Sequence, residues 1–139
     1  MRVVLDTNVL IAAALKGGLS EQIIRLAAAG KLQLIISDEI LDELLEKLIQ
    51  KFAWKEKEAK LYADTLGEIG ERVKITNKLK VIKRDPDDDK ILETAITAHA
   101  DLIVSIDKDL LKLKNYKRIG IVHPKTLTWI IPKLFEDKR

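Results

Sequence analysis

The sequence predicts a three-layer α/β/α fold around a central, mostly parallel sheet of four to five strands. Two observations predict it: short, continuously apolar β-branched runs alternate with longer amphipathic stretches, and the breaker residues fall between them. Apolar runs that do not alternate with polar residues belong to strands covered on both faces, and helices between such strands make βαβ units. The 139 residues form no internal repeat and contain no low-complexity linker. At roughly 100–200 residues per domain, they are expected to fold as a single domain, 1–139.

Taken in order, Val3-Val4-Leu5 is the first strand and ends at Asp6. Gly17-Gly18 then precedes Ser20, a suitable N-cap for a helix over 20–29 that Gly30 closes. Leu32 to Ile36 is the second strand, ending at Ser37, followed by helices over 38–52 and 55–69. A third short strand runs from Val73 to Ile75, and Pro86 stands before a helix over 88–100. Leu102 to Ile106 is the fourth strand, ending at Asp107. Ile119 to Val122 is the last, ending at His123-Pro124 ahead of a helix over 125–131.

Composition excludes several classes. With 47% hydrophobic and 34% charged residues the chain reads as globular rather than disordered. No apolar run approaches the roughly 20 residues of a membrane span. Arg2 and the stretch from Val9 to Leu15 imitate a signal peptide, but Asp6 and Asn8 interrupt the apolar run, so a cytoplasmic protein is expected. The absence of cysteine removes disulfides, thiolate metal sites and a cysteine nucleophile together. The net charge of +3 divides unevenly, at −2 over residues 1–70 and +5 over 71–139. Basic residues gather at Lys78, Lys80, Lys83 and Arg84, and again at Lys108, Lys112, Lys114, Lys117 and Arg118.

Acids fall where such a sheet binds ligands. In an open parallel sheet the site lies beyond the carboxyl ends of the strands, and here two strands end in Asp6 and Asp107. A third acid comes from Asp85-Pro86-Asp87-Asp88-Asp89. In the helix that follows, Ile91, Leu92, Ala95, Ile96 and Ala98 form the apolar stripe, and Asp88 projects onto it from the first turn. By the same projection Asp85 and Asp87 precede the helix. The helix after Ser37 offers several more acids. Its stripe (Ile40, Leu41, Leu44, Leu45, Leu48, Ile49) places Asp42 nearest the edge and Glu43 and Glu46 further round, without selecting one.

Converging carboxylates repel unless a counter-charge joins them. A hard divalent cation fits, because Mg²⁺ and Mn²⁺ take oxygen ligands from carboxylates and substrate phosphates. One or two such ions activate water against a phosphodiester. His99, projected onto the apolar side of its helix, and His123, beside Pro124, are read as structural.

These blocks resemble those of the PIN domain family, a metal-dependent ribonuclease fold. The opening Val4-Leu5-Asp6-Thr7-Asn8-Val9-Leu10 is similar to the family's start. Ser37 through Glu43-Leu44, Asp85 through Glu93, and Ala100 through Leu111 follow in the same order. The likeness is closest to the VapC-related toxins of toxin–antitoxin pairs. It implies that Asp6, Glu43, Asp88 and Asp107 are catalytic and metal-binding, and it alone selects Glu43 from its helix. It further implies supporting roles for Asn8, Ser37 and Ser105, with Asp109 as an auxiliary acid. Ser105-Ile106-Asp107 departs from the Thr-Gly-Asp usual in relatives, so the backbone freedom of glycine is lost beside the acid.

The implied activity is hydrolysis of RNA by water activated on one or two Mg²⁺ or Mn²⁺ ions, leaving a 5′-phosphate and a 3′-hydroxyl. Lys83, Arg84, Lys108 and Lys112 would neutralise RNA phosphates. The implied partners are a small antitoxin and a second copy of the chain, with Trp54, Trp129 and the helical region 38–69 as contact surfaces. One rival reading is an RNA-processing or catalytically silent PIN module. Another is a phospho-acceptor domain. The second lacks the acid expected two residues after Asp6, where Asn8 stands.

Overall fold

The computed structural model describes residues 1–76 and 86–136, with the side chains of residues 86–88 left out. Strand β1 (Arg2–Leu5) leads through α1 (Thr7–Lys16) and α2 (Gly18–Ala28) to β2 (Gln33–Ser37). Helices α3 (Asp38–Gln50) and α4 (Glu56–Ile69) lead to β3 (Glu71–Val73). Then come α5 (Pro86–Thr97), β4 (Leu102–Val104), α6 (Lys108–Leu113), β5 (Asn115–Tyr116), β6 (Ile119–Val122) and α7 (Pro124–Ile130), with a final 3₁₀ turn over Pro132–Phe135.

Among the described residues the strands form one sheet in the order β3-β2-β1-β4-β6-β5. Every pairing is parallel except that of β5 with β6. The chain moves outward from β1 through β2 to β3, then returns to lay β4 on the other side of β1. That reversal makes the β1/β4 boundary the topological switch point, the place where open parallel sheets bind their ligands beyond the strand ends.

The central strands are buried on both faces, as their unbroken apolar sequence requires. Val3, Val4 and Leu5, then Leu34, Ile35 and Ile36, then Ile103 and Val104 are each no more than 1% exposed. Successive strand residues point to opposite faces, so helices must cover both. The three-layer α/β/α fold is therefore the observed one. To the expected parallel strands the structure adds the two-residue β5, too short for periodicity to reveal.

Several boundaries differ from the sequence reading. The stretch that imitates a signal peptide is α1, capped by the Asp6 side chain, with Val9, Leu10, Ile11 and Ala13 buried. Helix α2 begins at Gly18, before Ser20, because Gly17 at φ +71° turns the chain directly into it. Pro86 is the first residue of α5 rather than a spacer before it, a position where its missing N–H costs nothing, so Asp87 lies inside the helix. Strand β3 ends at Val73, and β4 stops at Val104, leaving Ser105 and Ile106 in the loop to Asp107.

His99 does not sit on the apolar side of α5. It follows the helix end, exposed, in the left-handed backbone region at φ +53°. His123 is structural, as expected: its Nδ1 caps α7 by accepting from the Lys125 amide at 3.0 Å. Trp54 is half-buried, with its ring 6.0 Å from that of Tyr62, whereas Trp129 is 78% exposed. Among the described residues no helix is long and apolar enough to cross a membrane.

Candidate metal and phosphodiester site

Strand β1 delivers Asp6 to the switch point. Its backbone N–H donates to the Val104 carbonyl at 2.9 Å, tying the end of β1 to the end of β4. Its side chain caps α1 by accepting from the Asn8 amide at 3.5 Å, and the residue is only 6% exposed. Burial pushes this carboxyl above its ordinary value, and the negative charge of Asp107 adds to the rise. The Ser105 hydroxyl, the Asn8 amide and the charge of Lys47 oppose it.

Ser105 joins the two strand ends. Its hydroxyl donates to Asp6 Oδ2 at 2.8 Å and accepts from the Asp107 amide at 2.9 Å. Asp107 Oδ1 in turn accepts from the Asp109 amide at 2.8 Å, which caps α6. The isoleucine between them needs no glycine-like backbone. Among the described residues the positive-φ positions all lie elsewhere, and Ile106 turns its side chain out at 40% exposure.

Helix α3 brings Glu43 to the same region. Ser37 caps this helix by accepting from the Ile40 amide at 3.3 Å, and the Ser37 and Thr94 hydroxyls stand 2.9 Å apart, linking α3 to α5. Glu43 is 7% exposed, and each of its oxygens has a partner. Oε1 accepts from the Thr7 hydroxyl at 2.7 Å, and Oε2 pairs with Lys47 Nζ at 3.0 Å. Asp42, which the helical projection placed nearest the apolar edge, is exposed. The buried face of α3 takes in Glu43, with α1, α4, α5 and β2 all packed against the helix.

The structure thus brings Asp6, Asn8, Ser105 and Asp107 together through hydrogen bonds. Lys47 links Glu43 to them electrostatically. Asp88 lies in the first turn of α5 by its backbone, but its side chain is outside the described residues. So are Lys83 and Arg84, with Lys78, Lys80 and Asp85. Among the described residues no three acids or histidines close on one point. Lys108 and Lys112 are exposed on α6, the helix that Asp107 caps. Lys117 and Arg118 part from them, because the β5–β6 turn carries these two to the amino ends of the parallel strands.

Sequence reasoning passed over Thr7, Lys47 and Thr94. The i,i+4 spacing of Glu43 and Lys47 was a signal for one of them. The Ser37–Thr94 contact, spanning 57 residues of chain, had none. A cleft of about 500 Å³ lined by Met1, Lys31, Gln33, Gly70 and Glu71 lies at the amino ends of β1 to β3, away from these carboxylates.

A family model described as PIN domain matches residues 2–109. No curated protein matches the sequence. Among solved structures, the chain is similar to one in the crystal structure of VapBC2 from Rickettsia felis bound to a DNA fragment from their promoter. The TM-score is 0.64 at 19% identity, covering 87% of this chain and 97% of that one. That likeness is one of fold. With 108 consecutive residues of the chain matched, the chain belongs to the PIN domain family.

Proposed function

We propose that this protein is a divalent-metal-dependent ribonuclease, acting as the toxin of a toxin–antitoxin pair and folding as one PIN domain. The observation that carries the reading is the Asp6–Ser105–Asp107 linkage at the switch point. Two acids of like charge meet there, one of them buried, and such a pair is costly without a cation.

The donors suit a hard ion. They are carboxylate and hydroxyl oxygens, the chain has no cysteine, and His123 Nδ1 is taken up in capping α7. Asp6, Asp88 and Asp107 would hold Mg²⁺ or Mn²⁺, with Glu43 beside them. When bound, the ion supplies an acidified water and a Lewis acid for the phosphate oxygens. The protein's own part is to aim the ligands. Ser105 fixes the rotation of Asp6, and the cap on α6 fixes Asp107. Lys108 and Lys112, with Lys83 and Arg84, would hold the RNA backbone by neutralising phosphates. Water would add at phosphorus and the 3′-oxygen would leave, giving a 5′-phosphate and a 3′-hydroxyl.

A catalytically silent PIN module is the rival, and the retention of acids at Asp6, Glu43, Asp88 and Asp107 favours activity over it. The toxin role places the protein in the cytoplasm with a small antitoxin, and as a homodimer. Cleavage of single-stranded and structured RNA with Mg²⁺, Mn²⁺ or EDTA, by wild type, Asp6→Asn and Asp88→Asn, tests the reading. Metal-dependent cleavage lost in both variants is expected. Cleavage that survives EDTA, or survives both substitutions, overturns it.

A further inference from the structure

We infer that Lys47 supplies the second cation of this site: Glu43 holds the lysine ammonium instead of a second metal ion, and the protein binds a single divalent ion per chain. The inference rests on the nuclease reading above and assigns a positioning role within it. Glu43 is buried and points toward the start of α1, where its Oε1 accepts from Thr7, the residue directly after Asp6. Its Oε2 is 3.0 Å from Lys47 Nζ. Both oxygens of the carboxylate therefore already carry short, directional bonds from this chain.

A second divalent ion in a two-metal site sits about 3.5–4 Å from the first. Bound to Glu43, it would lie within a few ångströms of the ammonium, and at such separations in a partly buried site like charges repel strongly. The ion would have to compete with the ammonium for Glu43 Oε2 and with the Thr7 hydroxyl for Oε1, so each new metal–oxygen contact would replace a bond already made. The Lys47 side chain is 31% exposed, so solvent and a substrate phosphate can reach it. The Glu43–Lys47 pair is also in the preferred helical order, with the acid four residues before the base.

The test is the stoichiometry of Mn²⁺ bound to metal-stripped protein, read by electron paramagnetic resonance of the free ion and by calorimetry. Wild type, Lys47→Arg, Lys47→Gln and Lys47→Met are compared, with circular dichroism confirming the fold of each. One ion is expected in wild type and in Lys47→Arg. Two are expected in Lys47→Gln and Lys47→Met, the latter keeping the apolar packing of the stem. Cleavage by wild type should rise with Mg²⁺ as a one-site saturation curve, and by Lys47→Met with a steeper, two-site one. Two ions in wild type overturn the inference and leave the nuclease reading intact, as does a single ion in both neutral variants. No bound ion and no cleavage in wild type overturns the nuclease reading itself.

Discussion

The Ser105 hydroxyl donates to Asp6 Oδ2 at 2.8 Å, joining residues 99 positions apart in the chain. The contact is buried on both sides, with Ser105 fully inaccessible. It sets the orientation of the acid that ends β1 from the loop that ends β4. Ser105→Ala should cost about 1–3 kcal/mol, since it leaves a buried carboxylate oxygen short of a donor. Loss of this orienting bond should lower cleavage roughly 10–100-fold, the range for groups that orient metal ligands. Urea denaturation and RNA cleavage measure the two effects.

Asp6→Asn should separate stability from activity. The folded protein holds the Asp6 carboxyl above its ordinary value, chiefly by burial, so the folded state takes up a proton at higher pH than the unfolded chain does. The stability this confers is fully present below the unfolded carboxylate value and is lost as pH rises through the raised folded value. Removing the ionisable group should therefore raise the midpoint of thermal unfolding of metal-free protein at pH 7 and change little near pH 3. Cleavage should fall by about a hundredfold or more, beyond the upper end of the range for residues one step removed from the ion.

Metal addition should stabilise the wild type and not Asp6→Asn. A ligand that binds only the folded state adds about 2.7 kcal/mol at a hundred times its dissociation constant. Thermal unfolding with millimolar Mn²⁺ against EDTA reads this directly. An equal shift in both proteins would place the ion away from Asp6.

Thr7→Val keeps the shape of the side chain and removes the donor to Glu43 Oε1. The cost should be about 1–3 kcal/mol, because the acceptor is charged and buried. Equilibrium denaturation in urea checks it, with the slope unchanged from wild type.

Tyr62→Phe offers a contrast at a distance from the site. Tyr62 Oη donates to the Leu10 carbonyl at 2.8 Å, bracing α4 against α1. Burial, aided by the charge of Glu21, has its phenol pushed up to about 12. Losing the bond should cost about 1 kcal/mol and leave cleavage unchanged. A large loss of activity would show that the α1–α4 contact positions the site.

The sequence by itself determined the fold class, because continuous apolar strands such as Val3-Val4-Leu5 and Leu102-Ile103-Val104 only fit a sheet covered on both faces. It also set Asp6 and Asp107 just beyond two strands at the same edge of one sheet, whereas the pairing of β1 with β4 that makes those strands neighbours came from the tertiary structure. Periodicity left open which acid of α3 turns inward; the family resemblance pointed to Glu43, and the tertiary structure buries it. The burial of a helical residue depends on everything packed around the helix, and with α1, α4, α5 and β2 all against α3 the buried face takes in Glu43 and leaves Asp42 exposed. The same holds for the division of the basic residues, where a two-residue turn sends Lys117 and Arg118 to the far end of the sheet. Ser105 between two acids is a contact across space, whereas Lys47 beside Glu43 is a neighbour on one helix face. Spacing along the chain names the residues that could meet, and packing chooses the ones that do.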